Sequence, residues 1–286
     1  MMTTRKLVIF TDLDGTLLDR NTYSFEPAQP ALRLIKQKDI PLVLSSSKTM
    51  VEIEFYRKVL ENGHPFLSEN GGAVFVPKDY FSFRFHYDRE TDRFFVLELG
   101  IPYPRIIEIL DSVRKETGIS MKGFSDLTEE EVSSLCAMDS KKAAWAKKRE
   151  YDEPFFIEGG EKEIEIVRGK IEEKAMTYTW GGKFHHLLGK NDKGKAVEIL
   201  KELYENEFFS IFTVGIGDSL NDLPMLSVVD RPIFLKGEEN VSPDALSLIQ
   251  NCTIIHGTGP QAWNEVILSI VKPASPGPEG SKVKES

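Results

Sequence analysis

The sequence predicts an α/β fold: a parallel-sheet core interrupted by a smaller α+β unit. Three observations predict it. Between residues 7 and 76, apolar runs alternate with helix-like segments in the order strand, helix, strand, helix, strand. The texture changes at Tyr80, where aromatic and charged residues begin to alternate, and buried-type runs return near Phe208. Two of the buried-type runs, far apart in the chain, each end in a pair of aspartates. In a parallel sheet such ends come together, and ligands bind beyond them.

The first run is Leu7 to Leu18, LVIFTDLDGTLL. Asp12 and Asp14 are two residues apart, so in an extended segment they face one side. Adjacent carboxylates repel unless a cation lies between them, and hard oxygen ligands suit Mg²⁺. Gly15 lets the chain turn immediately afterwards. A short helix is expected over Pro27 to Lys38, then a strand over Ile40 to Leu44. That strand ends in Ser45, Ser46, Ser47, Lys48 and Thr49, ahead of a helix from Met50 to Glu61. Hydroxyls, backbone N–H groups and one lysine at a helix start can cap the helix or cradle an anion. Apolar runs over Pro65 to Leu67 and Ala73 to Val76 flank Ser-Glu-Asn-Gly-Gly.

Beyond Tyr80, FSFRFHYDRE and RFFVLELG read as half-exposed strands. Helices are expected over Pro104 to Glu116, within Ser125 to Ser134 and over Asp139 to Arg149. Strands are expected at Phe155 to Ile157 and Glu163 to Val167, then a helix at Ile171 to Ala175 and a strand at Met176 to Trp180. After Gly181 and Gly182, His185 and His186 are adjacent, so as strand residues they point to opposite sides and form a poor joint metal site. Lys193 and Lys195 sit at the start of a helix from about Gly194 to Tyr204, where a cation opposes the helix dipole. Such a lysine is explained if an anion lies beside it.

The strand Phe208 to Val214 runs into GIGDSLNDLPML. Asp218 and Asp222 mirror Asp12 and Asp14, and four carboxylates converging on one pocket nearly demand a cation. A short helix over 224 to 229, strands over Arg231 to Leu235 and Cys252 to Ile255, and a helix ending near Ile270 follow. The Pro/Gly/Ser-rich stretch 273 to 286 is expected to be disordered.

Composition bounds the function. The 286 residues are 41% hydrophobic and 28% charged, with a net charge of -9, which disfavours a general nucleic-acid binder. Cys136 and Cys252 make no disulfide framework or metal pattern, so a reducing compartment is expected. With no membrane-length apolar run and no signal-like N-terminus, the expected location is cytoplasmic, without a membrane partner.

Four segments in order, LVIFTDLDGTLLD, LVLSSSKT, GKNDKGKAV and VGIGDSLNDLPML, resemble the four motifs of the haloacid-dehalogenase-like phosphatases. The resemblance covers about residues 7 to 256, and the insertion ahead of the lysine motif is similar to that of the Cof-like branch. It implies a Rossmannoid parallel-sheet core, residues 1–83 and 185–272, with an inserted α+β cap, residues 84–184. It implies an Mg²⁺-dependent phosphatase for a small phosphorylated sugar-glycerate. Asp12 would be the nucleophile and Asp14 the general acid and base. Ser46 would hold the phosphoryl group and Lys193 would neutralise it. Asp12, the Asp14 carbonyl and Asp218 would hold the metal, and Asp222 would orient Lys193 or a metal-bound water. Ser47, Lys48, Asn70, Gly71, Lys183, His185 and His186 are the expected substrate contacts, with Arg149 and Arg168 less favourably placed. The second motif departs from the Thr-Gly-Arg often found in the superfamily, having Ser46-Ser47-Lys48 instead.

Overall fold

The computed structural model describes residues 5–181, 183–237 and 241–271. The expected disordered stretch 273–286 and Gly182 lie outside the described residues.

The central strand is β1 (Lys6–Thr11). Its interior residues Val8, Ile9 and Phe10 are wholly buried, as befits a strand covered on both faces. On one side lie β11 (Ile211–Gly217), β12 (Arg231–Lys236) and β13 (Thr253–His256), all parallel. On the other, β2 (Leu42–Ser45) and β3 (Phe66–Ser68) continue the parallel run. The sheet is then extended by antiparallel β4 (Ala73–Pro77), β6 (Phe94–Glu98) and β5 (Arg89–Glu90), giving nine strands in the order β13-β12-β11-β1-β2-β3-β4-β6-β5.

The two faces bury different helices. Ile9, Leu44, Val214 and Ile216 pack with residues of α1 (Gln29–Gln37), α2 (Met50–Val59) and α10 (Gly259–Val271), including the fully buried Trp263. Val8, Phe10 and Val43 pack with α7 (Lys193–Phe208) and α8 (Leu223–Ser227) through Leu200, Tyr204 and Met225. A further short helix, α9 (Pro243–Ser247), joins the same cluster through Leu246 and has no counterpart in the sequence reading.

A second, antiparallel sheet has the order β7-β8-β10-β9, from β7 (Met121–Gly123), β8 (Asp152–Ile157), β10 (Phe184–Leu188) and β9 (Thr177–Gly181). Helices α3 (Tyr103–Thr117) and α6 (Glu161–Glu173) supply Ile106, Leu110, Val113, Val167 and Ile171 to the face that carries Phe155 and Leu187. Phe156 and Phe184 pack instead with α4 (Glu129–Cys136) and α5 (Ser140–Ala146).

Sheet membership departs from the expected boundaries 84–184 at both ends. Residues 94–98 pair with β4 in the large sheet and 89–90 pair in turn with 94–98, whereas 184–188 lie between β8 and β9 in the small one. The aromatic stretch 81–88 forms no strand, and Phe81, Phe83 and Phe85 pack near Tyr204 as a strap. Glu163 to Val167, expected as a strand, is part of α6: Ile164, Val167 and Ile171 share a helical face, while the alternation of Glu163-Ile164-Glu165-Ile166 is incidental. Phe208 closes α7 rather than opening a strand, and Phe209 follows at φ 60 before β11 begins.

Candidate active site

Asp12 follows β1 directly and Asp218 follows β11 directly. These strands are adjacent and parallel, with Thr11 opposite Ile216, so register alone brings the two acids to one edge. The loop after β1 turns at Gly15, which has φ +84, and a Cβ there would fall 2.3 Å from Asp218 Oδ2. No side chain fits at that approach.

Lys193 is the first residue of α7 and is fully buried. Its Nζ donates to Asp12 Oδ1 at 2.7 Å and to Asp222 Oδ1 at 2.6 Å. The second oxygen of Asp222 accepts from the backbone N–H groups of Asp218 and Ser219 at 3.0 and 3.1 Å. The carboxylates thus overcome the mismatch between a lysine and a helix N-terminus. Burial alone would lower the pKa of the Lys193 ammonium, but Asp12 and Asp222 together raise it by more, so it lies above the ordinary lysine value. Burial, aided by Asp222 and Asp14, pushes the Asp12 carboxyl up to about 7 against the pull of Lys193. Asp218 accepts from the Thr16 hydroxyl at 3.1 Å and from Arg20.

Oxygen atoms of Asp12, Asp218 and Asp222 lie within 4.8 Å of one another, and all three residues are buried. This is an all-oxygen donor set with a net negative charge, and it fits a hard divalent cation. Asp222 is turned to Lys193 and two backbone N–H groups, Asp218 meets Thr16 and Arg20, and Asp12 meets Lys193 through Oδ1. Asp14 faces the same opening. Its Oδ2 pairs with Lys48 Nζ at 2.8 Å, and its buried Oδ1 has no hydrogen-bond partner among the described residues.

The cavity above these acids lies between the two sheets. Its walls include Asp12, Asp14, Ser47, Lys48, Ser219 and Asn221 from one side and Phe124, Arg149, Lys183, Phe184 and His186 from the other. Of the expected contacts, Ser47, Lys48, Lys183 and His186 are therefore brought to the cavity. Ser46 is one expected residue that does not line the cavity: it is buried, its Oγ accepts the Lys48 N–H at 3.2 Å, and the serine on the wall is Ser47. His185 is another. It points to the helix side of β10, with its Nδ1 against Tyr178 Oη at 2.7 Å and rings of Phe155 and Trp180 around it. Its opposite orientation to His186 is as the strand alternation requires.

Gly71 also faces away from the cavity. At φ +79, it ends a left-handed run with Glu69 and Asn70, and a Cβ there would lie 2.2 Å from the Asp192 carbonyl oxygen. It is the seat of the α7 N-terminus, hence of Lys193. Asn70 is buried beneath the wall, accepting from Asn221 Nδ2 at 2.9 Å and donating to Asp152 Oδ2 at 2.8 Å. Asp152 in turn holds His186 Nδ1 at 2.9 Å. Arg168 pairs with Glu172 on the exposed face of α6 and is not part of the site.

Three residues were passed over or undervalued by sequence reasoning. Arg149 is buried, with Nη1 donating to the Ser47 carbonyl at 2.7 Å and Nε to Ala146 at 2.9 Å. Asp152 and Asn221 carry the chain of hydrogen bonds that reaches His186. Asn221 had a readable signal, since it stands beside Asp222 in the fourth motif; Asp152, the first residue of an ordinary strand, had none.

The family model for haloacid dehalogenase-like hydrolases matches residues 9–245. A glucosyl-3-phosphoglycerate/mannosyl-3-phosphoglycerate phosphatase from Methanococcoides burtonii is 45% identical over 266 residues, covering 93% of this chain and 97% of the relative. A mannosyl-3-phosphoglycerate phosphatase from Pyrococcus horikoshii is 36% identical, covering 85% of this chain and 99% of the relative. A solved Thermoplasma acidophilum structure has the same fold with a TM-score of 0.65, at 19% identity, over 94% of this chain and 99% of that one. The chain belongs to the haloacid dehalogenase-like hydrolases and is an enzyme of the phosphoric monoester hydrolase class. Among the described residues, no helix is long and apolar enough to cross a membrane.

Proposed function

We propose that the protein hydrolyses mannosyl-3-phosphoglycerate to mannosylglycerate and phosphate. The observation that carries the reading is the buried Lys193 bridging Asp12 and Asp222 where β1 and β11 end. Asp12 attacks phosphorus, forming an aspartyl-phosphate and releasing the ester oxygen. Asp14, across the opening, gives that oxygen its proton and then takes one from the water that cleaves the aspartyl-phosphate. Lys193 steadies Asp12 and offsets charge on the phosphoryl oxygens. Ser47, on the cavity wall, would receive those oxygens through its hydroxyl. Asp12, Asp218 and the Asp14 carbonyl would hold Mg²⁺, which when bound neutralises phosphate charge and brings the anionic ester beside an anionic nucleophile.

The substrate is supported by the names of the relatives, which share the length of the chain, and by the basic and aromatic cap wall opposite the acids. The Methanococcoides relative's double name favours glucosyl-3-phosphoglycerate as a second substrate. The test is phosphate release with Mg²⁺ from mannosyl-3-phosphoglycerate, glucosyl-3-phosphoglycerate, mannose-6-phosphate, mannose-1-phosphate and 3-phosphoglycerate. The mannosyl ester is expected to exceed the simple hexose phosphates in kcat/KM by at least about tenfold, or about 1.4 kcal/mol. Equal turnover of a hexose phosphate removes the substrate assignment. Removal of divalent ions by a chelator should abolish release, and added Mg²⁺ should restore it.

A further inference from the structure

The cavity contains cations that phosphate handling does not use. Lys193 is held by Asp12 and Asp222, and Arg20 pairs with Asp218. Lys48 and Arg149 are the other two, each with a carboxylate of its own nearby; Arg149 Nη1 is 3.8 Å from Asp152 Oδ2. Lys48 is buried, with Nζ 2.8 Å from Asp14 Oδ2 and 3.7 Å from Glu52 Oε1. Glu52 is a distant partner, because its Oε2 already accepts the N–H and hydroxyl of Thr49 at 2.9 and 3.0 Å. The faces of Tyr23 and Tyr56, 5.0 and 5.6 Å away, hold the ammonium in a slot that opens on the cavity. Arg149 comes from the opposite wall and donates to the carbonyl of Ser47, the residue before Lys48. Two buried cations, one from each wall, thus reach the cavity at neighbouring points of the seam.

We propose that Lys48, with Arg149 beside it, binds the carboxylate of the substrate and makes the site select a carboxylated phosphate ester. This rests on the sugar-glycerate reading above. The chemistry of that substrate fixes where the carboxylate lies. The ester oxygen and the carboxyl carbon are attached to neighbouring carbons of the glycerate. Whatever protonates the ester oxygen is therefore close to the carboxylate. Asp14 has that task, and Lys48 is the cation in contact with it. The sugar, on the carbon that also bears the carboxyl group, is directed towards the cap wall of Phe124, Phe184 and His186. Arg149 belongs to that wall, so the carboxylate is held from both sides only when the walls are together.

The test compares mannosyl-3-phosphoglycerate with its uncharged carboxamide. Wild-type protein should prefer the acid by about 30-fold or more in kcat/KM, chiefly through KM. Lys48→Met should bring the two substrates within about threefold of each other, Lys48→Arg should recover much of the preference, and Arg149→Gln should lose part of it. The proposal is overturned if wild type does not distinguish acid from amide, a result that needs no variant to fold. It is equally overturned if Lys48→Met slows both by the same factor, since the lysine then only positions Asp14. If wild type releases phosphate from p-nitrophenyl phosphate but from neither glycerate ester, the substrate reading fails and takes this inference with it.

Discussion

On the core wall of the cavity the acids are set by backbone, whereas on the cap wall the polar groups are set by one another. Asp12 and Asp218 are each the residue after a strand, and the register of β1 with β11 brings them together. His186 is aimed by Asp152, Asp152 by Asn70 and Asn70 by Asn221, a relay that crosses from one wall to the other. A position fixed by sheet register survives the loss of a neighbouring side chain. A position fixed by a relay of hydrogen bonds does not. On the proposed function, the reaction would be anchored where backbone sets the geometry, and ligand choice where side chains set one another.

The sharpest test of this division is Asp12→Asn. It should lower phosphate release by about 10⁴-fold or more while circular dichroism and the urea midpoint stay close to wild type, because the strand end remains. A variant that turns over at the parental rate would remove Asp12 as nucleophile. Lys193→Met comes next. It strips the cation from two buried carboxylates, so kcat should fall by about 10² to 10³-fold and stability by about 3 kcal/mol, read from urea unfolding. Activity lost without any loss of stability would mean that the pair is not held as described.

Asp152→Asn addresses the other wall. The amide keeps one acceptor oxygen but not the carboxylate that serves His186 and Asn70 together, so KM should rise by roughly tenfold with kcat within about threefold. A collapse of kcat with KM unchanged would place the relay in the chemistry and erase the distinction between the walls.

The smallest expected effect contrasts two histidines, His64 beneath the large sheet and His185 in the small one. Burial holds both down at about 4, with Tyr80 and Tyr178 hydroxyls against their Nδ1 atoms. In the unfolded chain each takes up a proton near about 6.5. Between those values the unfolded chain binds more protons, so stability falls as pH drops from about 6.5 towards 4 and is unaffected above that window. His64→Gln should reduce the loss of unfolding free energy across that range by an amount on the order of 1 kcal/mol, and so flatten the slope of the urea midpoint against pH. An unchanged slope would show that His64 is protonated in the folded state.

What could be read from the sequence divides along the same line. Asp12, Asp14, Asp218, Asp222 and Lys193 were legible because short motifs at strand ends and helix starts carry their geometry with them. That Ser47 and not Ser46 lines the cavity could not be read, because three serines in a row share one composition and only the turn separates them. Gly71 was read as a ligand contact when its missing side chain makes room for Asp192. Arg149 and Asp152 become neighbours of the site only when the small sheet is laid against the large one, and no local pattern encodes that. The expected strand in Glu163 to Val167 failed for a related reason: five residues alternate by chance, and tertiary packing over a longer span chooses the helix.

The small sheet is reached by two short crossings, residues 99–102 after β6 and 189–192 before α7. In terms of chain entropy, the large sheet experiences everything between them as one closed loop. The cost of closing a loop rises only with the logarithm of its length, about 0.6 kcal/mol for each doubling. The contact of Gly71 with Asp192 clamps that closure at its far end, backbone against backbone. A chain built this way can lengthen, shorten or replace the intervening segment at little expense to the folding of the sheet that holds its aspartates, so the wall proposed to choose the ligand is free to diverge while the opposite wall stays as it is.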